Sequence, residues 1–573
     1  MRTGTRTEQF SVHAIAGSYV IILAFDAKKE ATKNLLGFAI HRTKYDKDGK
    51  DISNGGDWLK GYKPFKDVVP KPLPKVTYPS NLHPIQSFTW SDYAVEPDKM
   101  YTYKIIPVFG KPTEPKYGEE LIVKKIKPEP LKHDLHEIHF NRGTAASQAY
   151  AVKFDNLKPN DKSLTEKEKQ ERYTWLSRGL FEAILDFISQ AKGSNWSLRA
   201  ALYELDELQV MKAFKDVQDK GADVKIVYES RSAETQTKDN KQTLKDAGFV
   251  INDKQTTFAR SNTDGIPHNK FIVLLKNQKP VSVWTGSTNI SEGGIFGHSN
   301  VGHCIKDKDL AGEYLKYWNF LKDDPSQDAL KKLVDENWPT IGLAEVPKDK
   351  MTVIFSPRKG NKMLDTYAEF LGSANHLATI TLPFNLDKRF GKVLETDVEA
   401  IRYVMLNSGK KQSAAAEAFN KNPDDVIAAG AKFDNQWGQW LNEIHSGLNG
   451  SNVLYIHTKY MLKDPMGPEP LLIVGSANFS TNSTSSNDEN MVLVPLSSKK
   501  GETRVQDIYL GEFFRLFDHM YFRYLQSIDT SSKSEQAKRR FLKSTSKEWL
   551  ENYFEEGSKQ FKRRELFSYG FKK

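Results

Sequence analysis

The segment His268–Ser291, HNKFIVLLKNQKPVSVWTGSTNIS, has a counterpart at His457–Ser480, HTKYMLKDPMGPEPLLIVGSANFS. His268, Lys270, Gly286, Ser287, Asn289 and Ser291 each recur 189 positions later, as His457, Lys459, Gly475, Ser476, Asn478 and Ser480. A repeat that keeps imidazole, ammonium, hydroxyl and amide, rather than an apolar period, preserves chemistry. His268 and Lys270 are two apart, so on a strand they project to one side. Phe271, Val273 and Leu275 then turn the other way, into a core. His457 and Lys459 repeat this, with Tyr460 behind them. Gly286 lets the backbone turn sharply after the strand VSVW, and Ser287 and Asn289 are again two apart. Each half therefore offers four functional groups converging from neighbouring strands.

The surrounding pattern alternates strand and helix. TEKEKQERYTWLSRGLFEAILDFISQAKG predicts one amphipathic helix with Trp175, Leu176, Leu180, Ile184, Leu185 and Ile188 largely on one face, ending at Gly193. NWSLRAALYEL and VKIVYES read as strands, LQVMKAFKDVQDKGA, KQTLKDAG and LAGEYLKYWNFLKDD as helices. The order restarts near Met351 with MTVIFSPR (strand), MLDTYAEFLGSA (helix), HLATITLPF (strand) and DVEAIRYVMLNSG (helix), then the strands SNVLYIHTKYML and PLLIVGSANFS. This predicts an α/β layered fold with a mostly parallel sheet. The constant offset predicts a duplicated domain, with halves at 139–345 and 346–530 whose motifs meet at a pseudo-two-fold seam.

The flanks differ. Residues 1–126 read as all-β: SYVIILAF, LLGFAIHR and YTYKIIPVFG are separated by the turn clusters DKDGKD, PKPLPK and EPDK. The run TWSDYAVEPDKMYTYKIIPV, with Pro97, Tyr101 and Tyr103, resembles the late strands of a fibronectin type III or immunoglobulin-like sandwich. Residues 127–138, KPEPLKHDLHEI, read as a linker. The tail 531–573 carries KRR twice and has 12 Lys/Arg against 6 Asp/Glu. A solvated helical face is the default for such a run, and a phosphate-tracking surface is the sharper reading.

Length and composition suit two to four globular domains. A net charge of +10 and a pI near 9.0 point to an anionic partner. Cys304 is the single cysteine, which excludes an intrachain disulfide and a cysteine-rich zinc site. No run of about 18 apolar residues is present, so no membrane span is expected. The N-terminal SVHAIAGSYVIILAFDA alternates like a strand rather than a signal peptide. Cytoplasmic residence is the expectation, with export lacking a cleaved signal as the other route.

The paired groups suit a phosphodiester. Two lysines neutralise its oxygens, Ser and Asn donate hydrogen bonds, and two histidines supply a nucleophile and an acid. The absence of carboxylate clusters favours metal-free chemistry with no cofactor. H-x-K followed by G-S-x-N, present twice, resembles the phospholipase D superfamily, whose signature is H-x-K-x4-D with a downstream G-S-x-N. The resemblance spans residues 140–530. It implies a phosphohistidine intermediate, with His268 as nucleophile and His457 as general acid/base by order in relatives, although the roles could be reversed. Lys270 and Lys459 complete the catalytic set, and Ser287, Asn289, Ser476 and Asn478 are the expected phosphate contacts.

Two departures break the symmetry. Asp464 completes the second H-x-K-x4-D, whereas Leu275 stands in the first, a loss shared with tyrosyl-DNA phosphodiesterases. Glu489 lies where relatives place a carboxylate that orients a catalytic histidine, and the matching place in the first half falls near Asn300. His298, His303 and His376 lack matched partners and read as structural, and Trp284 reads as core. The functional expectation is a metal-independent phosphodiesterase acting on DNA or RNA. The alternative is a phospholipase D acting on phosphatidyl lipids, for which the loop GGIFG at 293–297 is the interfacial candidate. A non-catalytic scaffold is the third reading, disfavoured by two intact His/Lys pairs. Both halves lie in one chain, so a monomer is expected to hold a complete site.

Overall fold

A computed structural model describes the chain except residues 74–75, 144–147, 156, 232–234, 385, 408–409, 431–455, 500, 529–530, 533–534, 536–537 and 569–573. Part of the expected strand SNVLYIHTKYML, residues 451–455, lies outside the described residues.

The first 126 residues form two antiparallel sheets. Strands Arg2–Arg6, Phe10–Ala16, Ile21–Ala27 and Thr89–Asp92 make one. Leu35–Tyr45, Asp57–Trp58, Met100–Lys111, Glu114–Tyr117 and Leu121–Ile126 make the other. Val12, Leu23, Phe25, Phe38, Tyr101, Tyr103 and Val123 share one core. Tyr101 and Tyr103 both point inward. The Tyr101 Oη accepts from the Glu96 N–H at 2.9 Å, and the Tyr103 hydroxyl donates to Asp92 at 2.8 Å.

Two seven-stranded sheets follow. The first contains β1 (His136–Phe140), β2 (Trp196–Leu202), β3 (Asp223–Glu229), β4 (Thr257–Arg260), β5 (Lys270–Lys276), β6 (Lys279–Gly286) and β7 (Val301–Ile305). The second contains β8 (Thr352–Ser356), β9 (Leu377–Leu382), β10 (Ile401–Leu406), β11 (Asp425–Ala429), β12 (Tyr460–Lys463), β13 (Leu471–Gly475) and β14 (Glu489–Pro495). Their orders are β1-β7-β6-β5-β2-β3-β4 and β8-β14-β13-β12-β9-β10-β11, the same path in each half.

Four expectations are corrected. The sheets are mixed rather than mostly parallel: only β2-β3-β4 and β9-β10-β11 run parallel. The cause is a tight turn at Asn277–Gln278, both at positive φ, which makes β5 and β6 a hairpin and hence antiparallel. DVEAIRYVMLNSG contains the central strand β10, not a helix. Tyr403 and Met405 enter one core and Val404 and Leu406 another, and burial on both faces erases the alternation that marks a half-exposed strand. The long helix before β2 is two helices, Glu166–Ser177 and Leu180–Ser189, broken where Arg178 and Gly179 take φ of 49° and 91°. There Arg178 turns inward, donating to the Phe140 carbonyl and ion-pairing with buried Glu512. The linker ends early, because His136–Phe140 is an edge strand paired with β7.

The helix Arg504–Ser527, which local patterning did not reveal, joins the parts. Its Ile508, Tyr509, Phe513 and Phe517 share one core with Ile15 and Val20 of the first domain, Phe140 and Phe271 of the first half, and Tyr403 and Tyr460 of the second. The tail docks too. Trp549 and Leu550 enter the core of the N-terminal sheets. In the helix Lys559–Ser568, Lys562 pairs with Asp424, Arg563 with Asp518 at 2.9 Å and Arg564 with Asp26 at 2.6 Å. The second KRR triplet is therefore an internal clamp, not a phosphate track. No helix among the described residues is long and apolar enough to cross a membrane.

Candidate active site

The two motifs meet where the sheets abut. Just before β5 and β12 the chain crosses between halves: Pro267 bridges to Asp488 and Ile456 to Ser299, both in parallel. The His268 N–H donates to the Asp488 carbonyl at 3.0 Å and the His457 N–H to that of Ser299 at 3.1 Å. Each histidine thus precedes its strand rather than lying within it, held by backbone from the opposite half. Lys270 and Lys459 are buried behind them, and each Nζ donates to its own histidine's carbonyl at 2.6 Å.

The decisive contacts also cross the seam. His268 Nδ1 lies 2.9 Å from Glu489 Oε2, and His457 Nδ1 lies 2.9 Å from Asn300 Oδ1. Asn300 and Glu489 are themselves 189 positions apart. The Asn300 amide cannot flip freely: its Nδ2 donates to the Gly294 carbonyl at 2.7 Å and its Oδ1 accepts from the Ser287 hydroxyl at 2.8 Å. His457 therefore carries its proton on Nδ1 and keeps Nε2 for chemistry. One imidazole is backed by a carboxylate, the other by a neutral amide.

Burial and the charges of Lys270 and Lys459 push the His268 imidazole well below its ordinary range, and burial with Lys459 does the same to His457. Burial lifts Glu489 to about 8, against the pull of Lys270. Burial lowers Lys270 to about 8, and burial with the Lys270 charge holds Lys459 well below the usual amine range. The two buried lysines act on each other and face both Glu489 and Glu204, and burial of the amines favours entry of an anion that restores their charge.

The histidines open onto a cavity of about 630 Å³, which Asn289 and Asn478 also line. Ser287 and Ser476 do not reach it. The Ser287 Oγ accepts from the Val301 N–H while donating to Asn300, and the Ser476 Oγ accepts from the Asn490 N–H at 3.0 Å. Both serines are fully buried and brace the residues behind the histidines, so the structure places neither hydroxyl at the phosphate position expected from sequence. Asp464 stands apart, accepting from the N–H groups of Asn375, His376 and Leu377 at 3.0, 2.8 and 3.1 Å, which fixes the start of β9. Its counterpart Leu275 is core. His303 is structural, bonded to His136 at 2.9 Å, and Trp284 is core.

The lining residues that sequence did not single out as site residues include His298, Tyr203, Glu204 and Phe384. His298, read as structural, has its ring centroid 5.9 Å from that of His457 and lines the cavity. The Tyr203 ring lies 5.0 Å from His268. Glu204 and Phe384 each stand two residues beyond the ends of the equivalent strands β2 and β9. Strand ends that face the seam were the available signal. The GGIFG segment offers no interfacial loop, because Ile295 and Phe296 are buried.

Residues 184–321 match the family described as cardiolipin synthase, PLD-like domain, so the first half carries a phospholipase D-like domain. No curated protein matches the chain. Phosphatidylserine synthase from Haemophilus influenzae Rd KW20 is similar at 13% identity over 60% of this chain and 85% of that one, with a TM-score of 0.41. Yeast tyrosyl-DNA phosphodiesterase is similar at 13% identity over 56% and 87%, with a TM-score of 0.31. Nuc from Salmonella typhimurium, a phospholipase D family member, is similar at 24% identity over 25% and 87%, with a TM-score of 0.21.

Proposed function

We propose that the chain is a metal-independent phosphodiesterase of the phospholipase D type, built from two duplicated halves around a pseudo-two-fold seam. The observation that carries this reading is the pair of seam-crossing histidines with unequal partners, Glu489 behind His268 and Asn300 behind His457. In the first half-reaction His268 Nε2 attacks phosphorus, and the P–O bond to the leaving alcohol breaks. His457, entering this step as imidazolium with Nδ1–H held on Asn300, gives its Nε2 proton to that oxygen. The phosphoimidazolium formed at His268 is cationic, and ionised Glu489 stabilises it while accepting from Nδ1–H. In the second half-reaction His457 takes a proton from water, the hydroxide attacks phosphorus, and the P–N bond breaks to restore His268. The neutral Asn300 stabilises imidazolium less than a carboxylate does, which keeps His457 ready to give its proton back. Lys270 and Lys459 balance the phosphoryl charge throughout.

For the substrate, nucleic acid is the reading better supported. Phe384 is exposed at the rim, where a base can stack. The adjoining groove of the second half carries Lys388, Lys392 and Lys411 against Asp387 and Glu395, a surplus of one positive charge.

The test is hydrolysis in EDTA of bis(4-nitrophenyl) phosphate, single- and double-stranded DNA, RNA and phosphatidylcholine vesicles. Hydrolysis of the nitrophenyl diester and at least one nucleic acid is expected. Activity on lipid alone sinks the nuclease reading, and dependence on added metal sinks the mechanism.

A further inference from the structure

We infer that the first-half wall of the cavity, formed by Glu204 and Asn289, is a subsite for a hydrogen-bond donor, a hydroxyl or an ammonium, on one of the groups esterified to the scissile phosphate. This rests on the phosphodiesterase reading and specifies what flanks the phosphorus on that side.

Asn289 is 6% exposed. Its Nδ2 donates to Glu204 Oε2 at 2.6 Å. A carboxylate only accepts, so this contact fixes the amide orientation. The Asn289 Oδ1 is then a buried acceptor with no hydrogen-bond partner, on a residue that lines the cavity. A buried acceptor in that state is complemented by a ligand's donor, not by a phosphate oxygen, which also accepts. Glu204 itself lines the cavity, steadied by the Ser291 hydroxyl at 2.8 Å and the Gln236 amide at 3.3 Å. Oε2 accepts from both Asn289 and Ser291, so the free lone pair of the carboxylate lies on Oε1.

The second half lacks this wall. Phe384 occupies the place equivalent to Glu204; the Asn478 Oδ1 is likewise a buried acceptor without a hydrogen-bond partner, but among the described residues no carboxylate bonds its amide. Glu204 belongs to a group of carboxylates with Asp206, Glu207, Asp239 and Glu292, of which Glu204 alone lines the cavity. A donor-bearing group such as an amino alcohol or a polyol suits that carboxylate. The cavity is thus two-sided: Phe384 with Asp387 on one flank of phosphorus, and the Glu204–Asn289 wall on the other.

The test is calorimetric titration of the full chain with three phosphomonoesters: ethyl phosphate, O-phosphoethanolamine and glycerol 3-phosphate. At least one donor-bearing ester is expected to bind about 10-fold or more tightly than ethyl phosphate, the range for a hydrogen bond to a charged group. Preference for phosphoethanolamine assigns an ammonium ligand, and preference for glycerol 3-phosphate a hydroxyl. In Glu204→Gln and in Asn289→Leu the ratio should fall to about 2-fold or less. Each ratio is taken within one variant, because Asn289 is also an expected phosphate contact, and thermal melts of each variant serve as the folding control. No preference in the wild type, or a preference that survives both substitutions, overturns the subsite alone. Binding of none of the three esters, together with no diester hydrolysis, overturns the phosphodiesterase reading beneath it.

Discussion

Replacing Glu489 with glutamine keeps the shape and one hydrogen bond but removes the charge behind His268. The imidazole nitrogen and carboxylate oxygen are 2.9 Å apart, which places the centres of an imidazolium and a carboxylate about 4 Å apart. At an effective dielectric near 20 that pair is worth about 4 kcal/mol. The glutamine dipole recovers a part, leaving a loss of about 2–3 kcal/mol in the phosphorylated intermediate and the transition state leading to it. At about 1.36 kcal/mol per decade this is a fall of about 30- to 150-fold in the phosphorylation rate. Rapid-quench measurement of the first turnover with bis(4-nitrophenyl) phosphate reads that step directly. Asn300→Leu is the comparison, because it disturbs the other histidine, whose proton a nitrophenolate does not need. If Glu489→Gln stays within about threefold of wild type, or if Asn300→Leu slows the first turnover more, the division of labour is wrong.

Other outcomes follow from the same geometry. His457→Ala should still release one equivalent of 4-nitrophenolate but stall before the second turnover, and should be inert toward diesters with alkyl leaving groups; burst kinetics on both substrates check this. Below about pH 8, protonation of Glu489 removes the acceptor for His268 Nδ1–H, so kcat/KM should fall as pH is lowered, and Glu489→Gln should flatten that limb. Above about pH 8, Lys270 loses its charge, so phosphate affinity should weaken as pH rises, which titration of inorganic phosphate from pH 6.5 to 9.5 measures. A Cβ at Gly475 would sit 2.1 Å from the Asn490 carbonyl oxygen, so Gly475→Ala should destabilise the fold by about 1–3 kcal/mol in urea melts. Arg260→Leu leaves Asp488 buried without its 2.8 Å partner on the other side of the seam, so it should cost about 3–5 kcal/mol and lower activity as well.

Much of the site was legible in sequence because its chemistry is repeated. The constant spacing brought together His268, Lys270, His457 and Lys459, and the same spacing located Asn300 and Glu489 as an unmatched pair. What spacing could not convey was which half each support serves. That depends on the Pro267–Asp488 and Ile456–Ser299 bridges, contacts between segments more than 150 positions apart. Ser287 and Ser476 were misplaced for a related reason: a repeated hydroxyl in a turn can face the ligand or the layer behind it, and only packing decides. Strands buried on both faces caused the error at Ile401–Leu406, whereas Ile21–Ala27, Leu35–Tyr45 and Met100–Lys111 were recognisable from β-rich runs set off by turn clusters. The basic tail illustrates a limit of charge counting. Its cations look like a polyanion track in sequence, but Lys562, Arg563 and Arg564 meet Asp424, Asp518 and Asp26.

The most direct test is to trap the covalent intermediate. His457→Ala, mixed with bis(4-nitrophenyl) phosphate and quenched in alkali, where phosphohistidine survives, should carry a nitrophenyl phosphoryl group on His268 by peptide mass spectrometry. The alternative acceptor is His457, examined in the reciprocal variant His268→Ala. Label on His268 alone supports the assignment made from Glu489 and Asn300. Label on His457 in His268→Ala with none on His268 in His457→Ala, or no histidine label in either variant, contradicts it.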